Sequence, residues 1–168
     1  MLRLEFPNET HQEMYEEMIE EWRNYEKIPT SPSLLFQWEN FVEFLKYIKK
    51  SHIGDIDGKT PSTLYFWIGE WKITWAIDIR HNLEHPKIKE YSGHIGYGIR
   101  PSERKKWHAT ELLRLGLWEA KKIGIDKVLI SCHPENIASE KVILKNGWEY
   151  FETLQKEGKI YKKYWITL

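Results

Sequence analysis

The spacing of apolar residues along this 168-residue chain changes several times, and each change predicts a new element of secondary structure. Residues 2–6, LRLEF, alternate as a short strand does. From Glu9 onward, apolar residues recur at helical spacing with acidic residues between them, which predicts an amphipathic helix. The segment PTSPS at 29–33 ends that helix, and a second helix is predicted over 41–48, closed by Lys49-Lys50.

After a polar loop at 54–62, the pattern becomes that of strands. TLYFWIGE and WKITWAIDIR predict two strands that meet at a tight turn near Gly69. HIGYGIR predicts a third strand, which ends at Pro101. Helical spacing then returns over 109–123, and Gly124 is expected to close that helix.

The last third of the chain predicts a strand, a helix and a hairpin. KVLISC at 127–132 is a short apolar run typical of a buried strand. NIASEKVILKNG predicts a helix with Asn136 near its start and Gly147 at its C-cap. WEYFETLQ and KIYKKYWITL predict a final hairpin. The order β-α-α-β-β-β-α-β-α-β-β predicts an α/β (α+β) fold in one domain over 1–168, with a mixed, mostly antiparallel central sheet and helices on both faces.

Composition excludes several classes of partner. The chain has 25 basic and 25 acidic residues, and its aromatic residues do not alternate with a basic stripe, so we expect no nucleic-acid partner. No apolar run is long enough to span a membrane, and the one cysteine rules out an internal disulfide, so we expect a cytoplasmic protein with no membrane partner. That residue, Cys132, ends an apolar strand and is expected to be a buried, unreactive thiol. The scattered histidines lack the spacing of metal ligands, so we expect no metal site.

Three stretches resemble the GNAT superfamily of N-acetyltransferases: IRPSERKKWHA, LLRLGLWEAKKIGIDKVLISC and HPENIASEKVILKNGW. The first is similar to the family's acetyl-CoA loop, Arg/Gln-x-x-Gly-x-Gly/Ala, placed here on Arg104, Trp107 and Ala109. The ending KIYKKYWITL resembles a subgroup of uncharacterised predicted acetyltransferases. The resemblance implies transfer of an acetyl group from acetyl-CoA, the co-substrate, to an amine of a small molecule or a protein, and it leaves a homodimer open.

The resemblance also implies where the cofactor binds. The cofactor's arm would pair with the strand edge, its pyrophosphate would lie at the following loop and helix, and a later helix would face it near its start. The residues concerned are Tyr97, Gly98, Ile99, Arg104, Lys105, Lys106, Trp107, His108, Ala109, Thr110, Asn136 and Ser139. A strand that leads into a helix presents unpaired amides and a positive dipole end, which suits a pyrophosphate. The alternative is an ordinary strand-to-helix turn with surface cations.

Three residues at the proposed cofactor site depart from the family pattern. Trp107 replaces the loop glycine, and Lys105 replaces a glycine often found before it. Many members carry a tyrosine two helical turns after the helix asparagine, where it can protonate the leaving thiolate, and here that position is Ile143. Water or Tyr150 could supply the proton instead, or no group could. These departures favour an alternative function: a non-catalytic GNAT-fold module that binds acyl-CoA, another flat ligand, or a partner.

Two further tryptophans occupy places where smaller residues are common in the family. Trp75 lies in KITWAIDIR, and Trp148 lies in NGWEYF. Indoles often fill a core or cover a sheet, and we expect that of both residues.

Acetyl transfer to an amine requires a neutral amine, so a base or water must accept a proton. His94 lies on the strand expected to flank the cofactor, near where some members carry a catalytic glutamate, and histidine titrates in the useful range. We therefore predict His94 as the catalytic base, with a structural histidine as the alternative. Asp78 and His81 are predicted to hold the acceptor amine, whose identity no motif specifies.

Overall fold

The computed structural model describes residues 3–25, 40–69, 71–106 and 108–168. The predicted order of elements is confirmed. In chain order they are β1 (Arg3–Glu5), α1 (Gln12–Tyr25), α2 (Phe41–Ile53), β2 (Ser62–Gly69), β3 (Lys72–Arg80), β4 (Ile95–Ile99), α3 (His108–Lys122), β5 (Lys127–Cys132), α4 (Ile137–Lys145), β6 (Glu149–Lys156) and β7 (Lys159–Thr167). None of the helices described is long and apolar enough to cross a membrane.

The strands that the structure describes form two sheets rather than one central sheet. One has the order β1-β2-β3-β4, and its first pair, β1 and β2, is antiparallel. The other has the order β5-β7-β6 and is antiparallel throughout. The α/β (α+β) class with antiparallel pairing is confirmed, and the chain divides into two compact units: Met1–Asp78 with Tyr97–Lys106, and Ile79–Gly96 with Trp107–Leu168. That it forms one domain stays a prediction.

The core of the first unit lies between α1, α2 and the sheet. α1 contributes Trp22 and α2 contributes Phe44, both at helical spacing from other buried residues, and β2 contributes Phe66. The rings of Tyr15 and Phe44 stack with centroids 4.8 Å apart. Buried aromatic side chains of this size each remove a large apolar area from water, so this cluster is the main stabilising feature of the unit.

Helix α2 ends three residues later than predicted, at Ile53 instead of Lys50. Asn40 caps its start, because its side-chain oxygen accepts a hydrogen bond from the Glu43 amide at 3.0 Å. Gly54 closes it in the left-handed conformation, with φ +76°. The lysines therefore lie in the last turns, where cations suit the helix dipole, and do not terminate the helix.

Helix α4 also ends differently from the prediction. Asn146, not Gly147, is its C-cap, and the side chain of Asn146 donates to the carbonyls of Thr110 and Val142 at 3.1 and 2.9 Å. Gly147 follows with φ +83°. The left-handed residue thus lies one position beyond the cap, and the cap itself links the end of α4 to the start of α3.

Two local features of the backbone could not be predicted from the spacing of apolar residues. A π-helical turn, Ile88–Ser92, connects β3 to β4 and ends at Gly93. At the turn between β2 and β3, Trp71 has φ +67° and is 90% exposed. An indole at a left-handed, exposed position contributes nothing to the core, so propensity and burial do not explain this residue.

Candidate active site

The predicted cofactor loop begins where β4 ends, in the first unit. Tyr97 and Ile99 are half-buried, and Gly98 is buried. The Nε of Arg104 donates to the carbonyl of Ile99 at 3.3 Å, and its guanidinium lies 5.3 Å from the centre of the Tyr25 ring. These contacts hold Arg104 against the end of the strand, so its charge has a defined position.

A buried carboxylate organises the lysines of this loop. Glu103 is 6% exposed and accepts hydrogen bonds from the ammonium groups of Lys72 and Lys106. Burial alone would raise the pKa of Glu103, but hydrogen bonds from both lysines outweigh it and hold that pKa below the usual range. Lys106, predicted to bind phosphate, therefore already has an anionic partner. The sequence pattern did not indicate this pair, because Lys72 lies on a distant strand.

The loop is also tied to the end of α1. Arg100 is 9% exposed, and its Nε donates to the carboxylate of Glu21. The same carboxylate accepts from the backbone amide of Ser102 at 2.6 Å. Burial raises the pKa of Glu21, but the bonds from Arg100 and Ser102 prevail and lower it. The bend after β4 is therefore fixed by ionised groups on both sides.

Lys105 occupies a strained backbone position. Its φ is +63°, in the left-handed region that glycine adopts without cost. The family resemblance implies a glycine at this position, and the loop has a backbone conformation that suits glycine although the residue is lysine. Trp107, which the sequence predicts at the cofactor, lies outside the described residues.

Replacing Lys105 with glycine should stabilise the protein. Relief of the left-handed strain is worth about 1–2 kcal/mol, and the greater freedom of glycine in the unfolded chain takes back about 0.5–1 kcal/mol. We expect a net gain of about 0.5–1 kcal/mol, measured by urea unfolding. Lys105→Ala serves as the control, since it removes the same charge without relieving the strain, and an equal gain in both variants would contradict the strain.

Helices α3 and α4 carry the remaining cofactor predictions, all in the second unit. His108, Ala109 and Thr110 form the first turn of α3 and are half-buried. Asn136 caps α4, because its side-chain oxygen accepts from the Ser139 amide at 3.0 Å. Asn136 and Ser139, both predicted to contact the cofactor, therefore lie together at the start of α4, because residues three apart share one helix face.

Glu140 fixes that first turn of α4 to strand β7. Its carboxylate accepts from the Tyr164 hydroxyl at 2.6 Å and from the Lys162 ammonium at 2.8 and 3.0 Å. Burial, together with the nearby charge of Glu140, raises the pKa of Cys132 to about 11. The thiol is 7% exposed, so the expectation of a buried thiol is confirmed. Nothing in the sequence pattern paired α4 with β7 in this way.

His94 is buried, at 6% exposure, and its ring is held by the backbone. The Leu129 amide donates to His94 Nδ1 at 2.9 Å, so Nδ1 must act as an acceptor and the proton of the neutral ring lies on Nε2. Burial, with a smaller contribution from the charge of Arg80, lowers the pKa of His94 to about 4. A neutral ring with its acceptor nitrogen in use fits the structural alternative better than the predicted base.

The predicted acceptor residues fall in different units. Asp78 is 4% exposed and belongs to the first unit, while His81 is half-buried and belongs to the second. Near Asp78 lies Tyr47 of α2, whose pKa is raised by burial and also by the charge of Asp78. Sequence reasoning did not single out Tyr47, because its position matched the apolar face of a helix. In the part of the chain that the structure describes, no group of three or more His, Cys, Asp or Glu could hold a metal ion.

Comparison with known proteins identifies the family. The family model described as the acetyltransferase (GNAT) domain matches residues 2–149, which is most of the chain. The chain belongs to the GNAT acetyltransferase family. GNAT proteins are N-acetyltransferases that use acetyl-CoA, so the predicted class of enzyme is confirmed. No sequence among curated proteins matches this chain.

Solved structures show the same GNAT fold. The ribosomal-protein-S5-alanine acetyltransferase from Vibrio fischeri matches with a TM-score of 0.73 and 14% identity, over 99% of this chain and 92% of that one. The microcin C7 self-immunity acetyltransferase MccE, in complex with acetyl-CoA and AMP, matches with 0.71 and 19%, over 99% and 92%. A dodecameric spermidine N-acetyltransferase from Vibrio cholerae matches with 0.69 and 16%, over 99% and 93%.

Three residues that depart from the GNAT pattern are buried. Ile143 is fully buried, so an apolar side chain fills the core where many members have a tyrosine. Trp75 and Trp148 are also buried, at 1% and 3% exposure, which confirms that both fill the interior. The ring of Trp75 stacks on Trp67 with centroids 5.9 Å apart. The bulky residues at 75 and 148 are therefore part of the packing rather than of a cleft.

Proposed function

We propose that this GNAT protein binds acetyl-CoA through the loop after β4 and the starts of α3 and α4, and transfers the acetyl group to a primary amine. The observation that carries the proposal is the left-handed Lys105 in a bend held by Glu21 and Glu103. A loop that leads into a helix of 15 residues comes before unpaired backbone amides, which suit a pyrophosphate. Arg104 and Lys105 then provide the cationic charge, because Lys106 is paired with Glu103.

At the start of α4, Asn136 and Ser139 are proposed to contact the pantetheine end of the cofactor. A thiolate leaves when the acetyl group is transferred, and it needs a proton. Tyr150 is exposed, and its hydroxyl shares a hydrogen bond with Thr153 at 2.9 Å, so it offers no specialised environment. Ser139 lies one helical turn before Ile143 on the same face, and its hydroxyl is proposed to donate a hydrogen bond to the leaving thiolate, with water supplying the proton.

Asp78, together with Tyr47, is proposed to hold the acceptor amine as an ammonium group, with His81 on the adjoining segment. A buried carboxylate attracts a cation because the low local dielectric strengthens their interaction. Two of the structural neighbours named above are a ribosomal-protein-S5-alanine acetyltransferase and a spermidine N-acetyltransferase, and alanine and spermidine both carry an amine. The alternative function, a non-catalytic acyl-CoA-binding module, is supported by the buried Ile143.

The test separates these functions. The protein is mixed with acetyl-CoA and each of three amines: spermidine, a peptide with an N-terminal alanine, and a small aliphatic amine. Release of CoA and an acetylated product by mass spectrometry support the enzyme. Calorimetric binding of acetyl-CoA without turnover on any amine supports the non-catalytic module, and absence of binding contradicts both.

The charge of the loop after β4 should contribute to acetyl-CoA affinity. Replacing Arg104 and Lys105 together with alanine should weaken acetyl-CoA binding about tenfold, since a charge-assisted hydrogen bond contributes about 1.5 kcal/mol or more. The matched control replaces Lys121 and Lys122, two exposed cations at the other end of α3. Calorimetry measures both affinities. An equal loss in the two variants would mean that only net charge matters and that the loop is not the phosphate site.

Two further proposals concern the oligomeric state of the protein and its location in the cell. β6 is an edge strand of its sheet, and its Tyr150 and Phe151 are more than half exposed. Exposed aromatic residues on an open edge suit pairing with a second copy, so we propose a homodimer, which light scattering can measure. Cys132 is a free, buried thiol. A free thiol suits a reducing compartment, so we propose that the protein is located in the cytoplasm.

A further inference from the structure

His133 lies in the connection between β5 and α4, and its ring has a defined tautomer. The side chain is exposed, and its Nδ1 lies 3.1 Å from the carbonyl oxygen of Ile160 on β7. A carbonyl oxygen can only accept, so Nδ1 must carry the hydrogen. In the neutral ring, Nε2 is therefore left with a lone pair. This arrangement is opposite to that of His94, whose Nδ1 accepts and whose Nε2 carries the hydrogen.

Aromatic rings fix the His133 side chain in place. Its ring is tilted against Tyr161 of β7, with centroids 4.7 Å apart, and Tyr161 in turn contacts Tyr91 at 5.4 Å. The Ser131 hydroxyl donates to the Tyr91 carbonyl at 2.6 Å, which holds the π-helical turn beside the end of β5. The imidazole is thus oriented by both a hydrogen bond and a ring contact, although it lies at the surface.

Among the residues that the structure describes, an ion pair lies beside this cluster. Lys156 of β6 lies 5.6 Å from the centre of the Tyr91 ring and forms an ion pair with Glu90 at 2.8 Å. Tyr161 and the Ile160 carbonyl face the imidazole from β7, and Glu135 follows it in its own loop. The position of Lys156 indicates that a ring face in this cluster accommodates an ammonium group, as cation–π contacts do.

The connection between β5 and α4 also places His133 next to the predicted cofactor residues. The Asn136 amide donates to the His133 carbonyl at 2.9 Å, so the two residues belong to one turn. Asn136 is the residue that caps α4 and is assigned to the cofactor. An oriented imidazole therefore lies one turn ahead of the residues proposed to hold the pantetheine end.

We infer that His133, not His94, is the base of this enzyme, and that its acceptor is an organic ammonium ion. The inference rests on the proposed function. The lone pair of Nε2 takes one proton from the ammonium, which leaves a neutral amine and an imidazolium. The amine nitrogen forms a bond to the thioester carbonyl carbon, the carbon–sulfur bond breaks, and the thiolate and the second amine proton leave as CoA thiol. The imidazolium returns its proton to solvent.

The decisive variant is His133→Asn, because an asparagine amide can keep the hydrogen bond to the Ile160 carbonyl but has no group at the place of Nε2. We expect kcat/KM for the best amine to fall about 100-fold or more, with acetyl-CoA affinity and urea stability unchanged. The acid side of the wild-type pH profile of kcat/KM should be absent in the variant. Glu135→Gln, in the same loop, is the matched control and should keep wild-type activity.

The possible results distinguish failure of the role assigned to His133 from failure of the proposed acetyltransferase function. If the wild-type protein acetylates an amine and His133→Asn retains activity within about threefold, His133 is not the base, while the proposed function stands. If the wild-type protein binds acetyl-CoA but acetylates nothing, the proposed function and this inference both fail. If His133→Asn loses acetyl-CoA binding or stability along with activity, the residue is structural and the inference is overturned.

Discussion

Gly93→Ala is expected to destabilise the protein by about 4 kcal/mol or more, which is exceptional for the addition of one methyl group. A Cβ at Gly93 would lie 2.3 Å from the backbone oxygen of Leu129 and 2.7 Å from its carbonyl carbon. The backbone there has φ +75° and ψ −166°, a region that is almost exclusive to glycine. The Leu129 oxygen also accepts the His94 amide at 2.7 Å, so it cannot retreat without loss of that bond.

The matched control for this prediction is Gly124→Ala. Gly124 has φ +84°, but no described atom lies within 4 Å of an added Cβ. The variant should therefore lose only the stability that left-handed backbone strain costs an alanine, about 1–2 kcal/mol. Urea unfolding of both variants, or the soluble fraction if Gly93→Ala does not fold, gives the comparison. Similar losses in the two variants would show that the close approach of Gly93 to β5 is not what requires glycine.

His94 should make the free energy of unfolding depend on pH between about 4 and 6.5. Its pKa is about 4 in the folded protein against an ordinary value of 6.5, so the unfolded chain binds the extra proton between these values. The contribution of His94 is fully present above pH 6.5 and is lost as the pH falls towards 4. The full loss is about 3 kcal/mol.

The variant His94→Asn isolates this effect. Its side-chain oxygen can still accept the Leu129 amide, but it cannot titrate. We expect the variant to be less stable than the wild-type protein at pH 7, because the ring's contact with Trp165 is lost. The difference should shrink by about 2 kcal/mol or more between pH 7 and pH 4.5. Urea unfolding at a series of pH values measures it, and parallel curves would show that His94 is not held neutral.

Most of the fold could be predicted from the sequence, because periodicity records which residues are buried. The limits of β5 were predicted to the residue, and the hairpin of β6 and β7 to within one or two residues. The π-helical turn Ile88–Ser92 was missed, because its residues are only partly buried and leave no periodic pattern. Division into two sheets was missed as well, since strand pairing depends on contacts distant in sequence.

The candidate site was less accessible to sequence reasoning. The loop and the cap at Asn136 could be predicted, because local turn and capping chemistry is written in adjacent residues. Which ring nitrogen of His94 and of His133 carries the hydrogen could not be predicted, because it depends on a single backbone partner on another strand. One signal for His133 was present: it directly follows a buried strand and precedes a helix, where side chains used in chemistry often lie.

The exposure of Trp71 has a consequence for the chain's fluorescence. Trp71 and Trp118 are exposed to water at 90% and 62%, whereas Trp22 and Trp75 are almost completely buried. Emission from the described tryptophans therefore includes an exposed population, at long wavelength and open to dissolved quenchers, and a buried one, at shorter wavelength and shielded from them. Iodide silences Trp71 and Trp118 first. A spectral response to CoA that persists in iodide then originates in shielded indoles, and one that disappears originates in exposed ones.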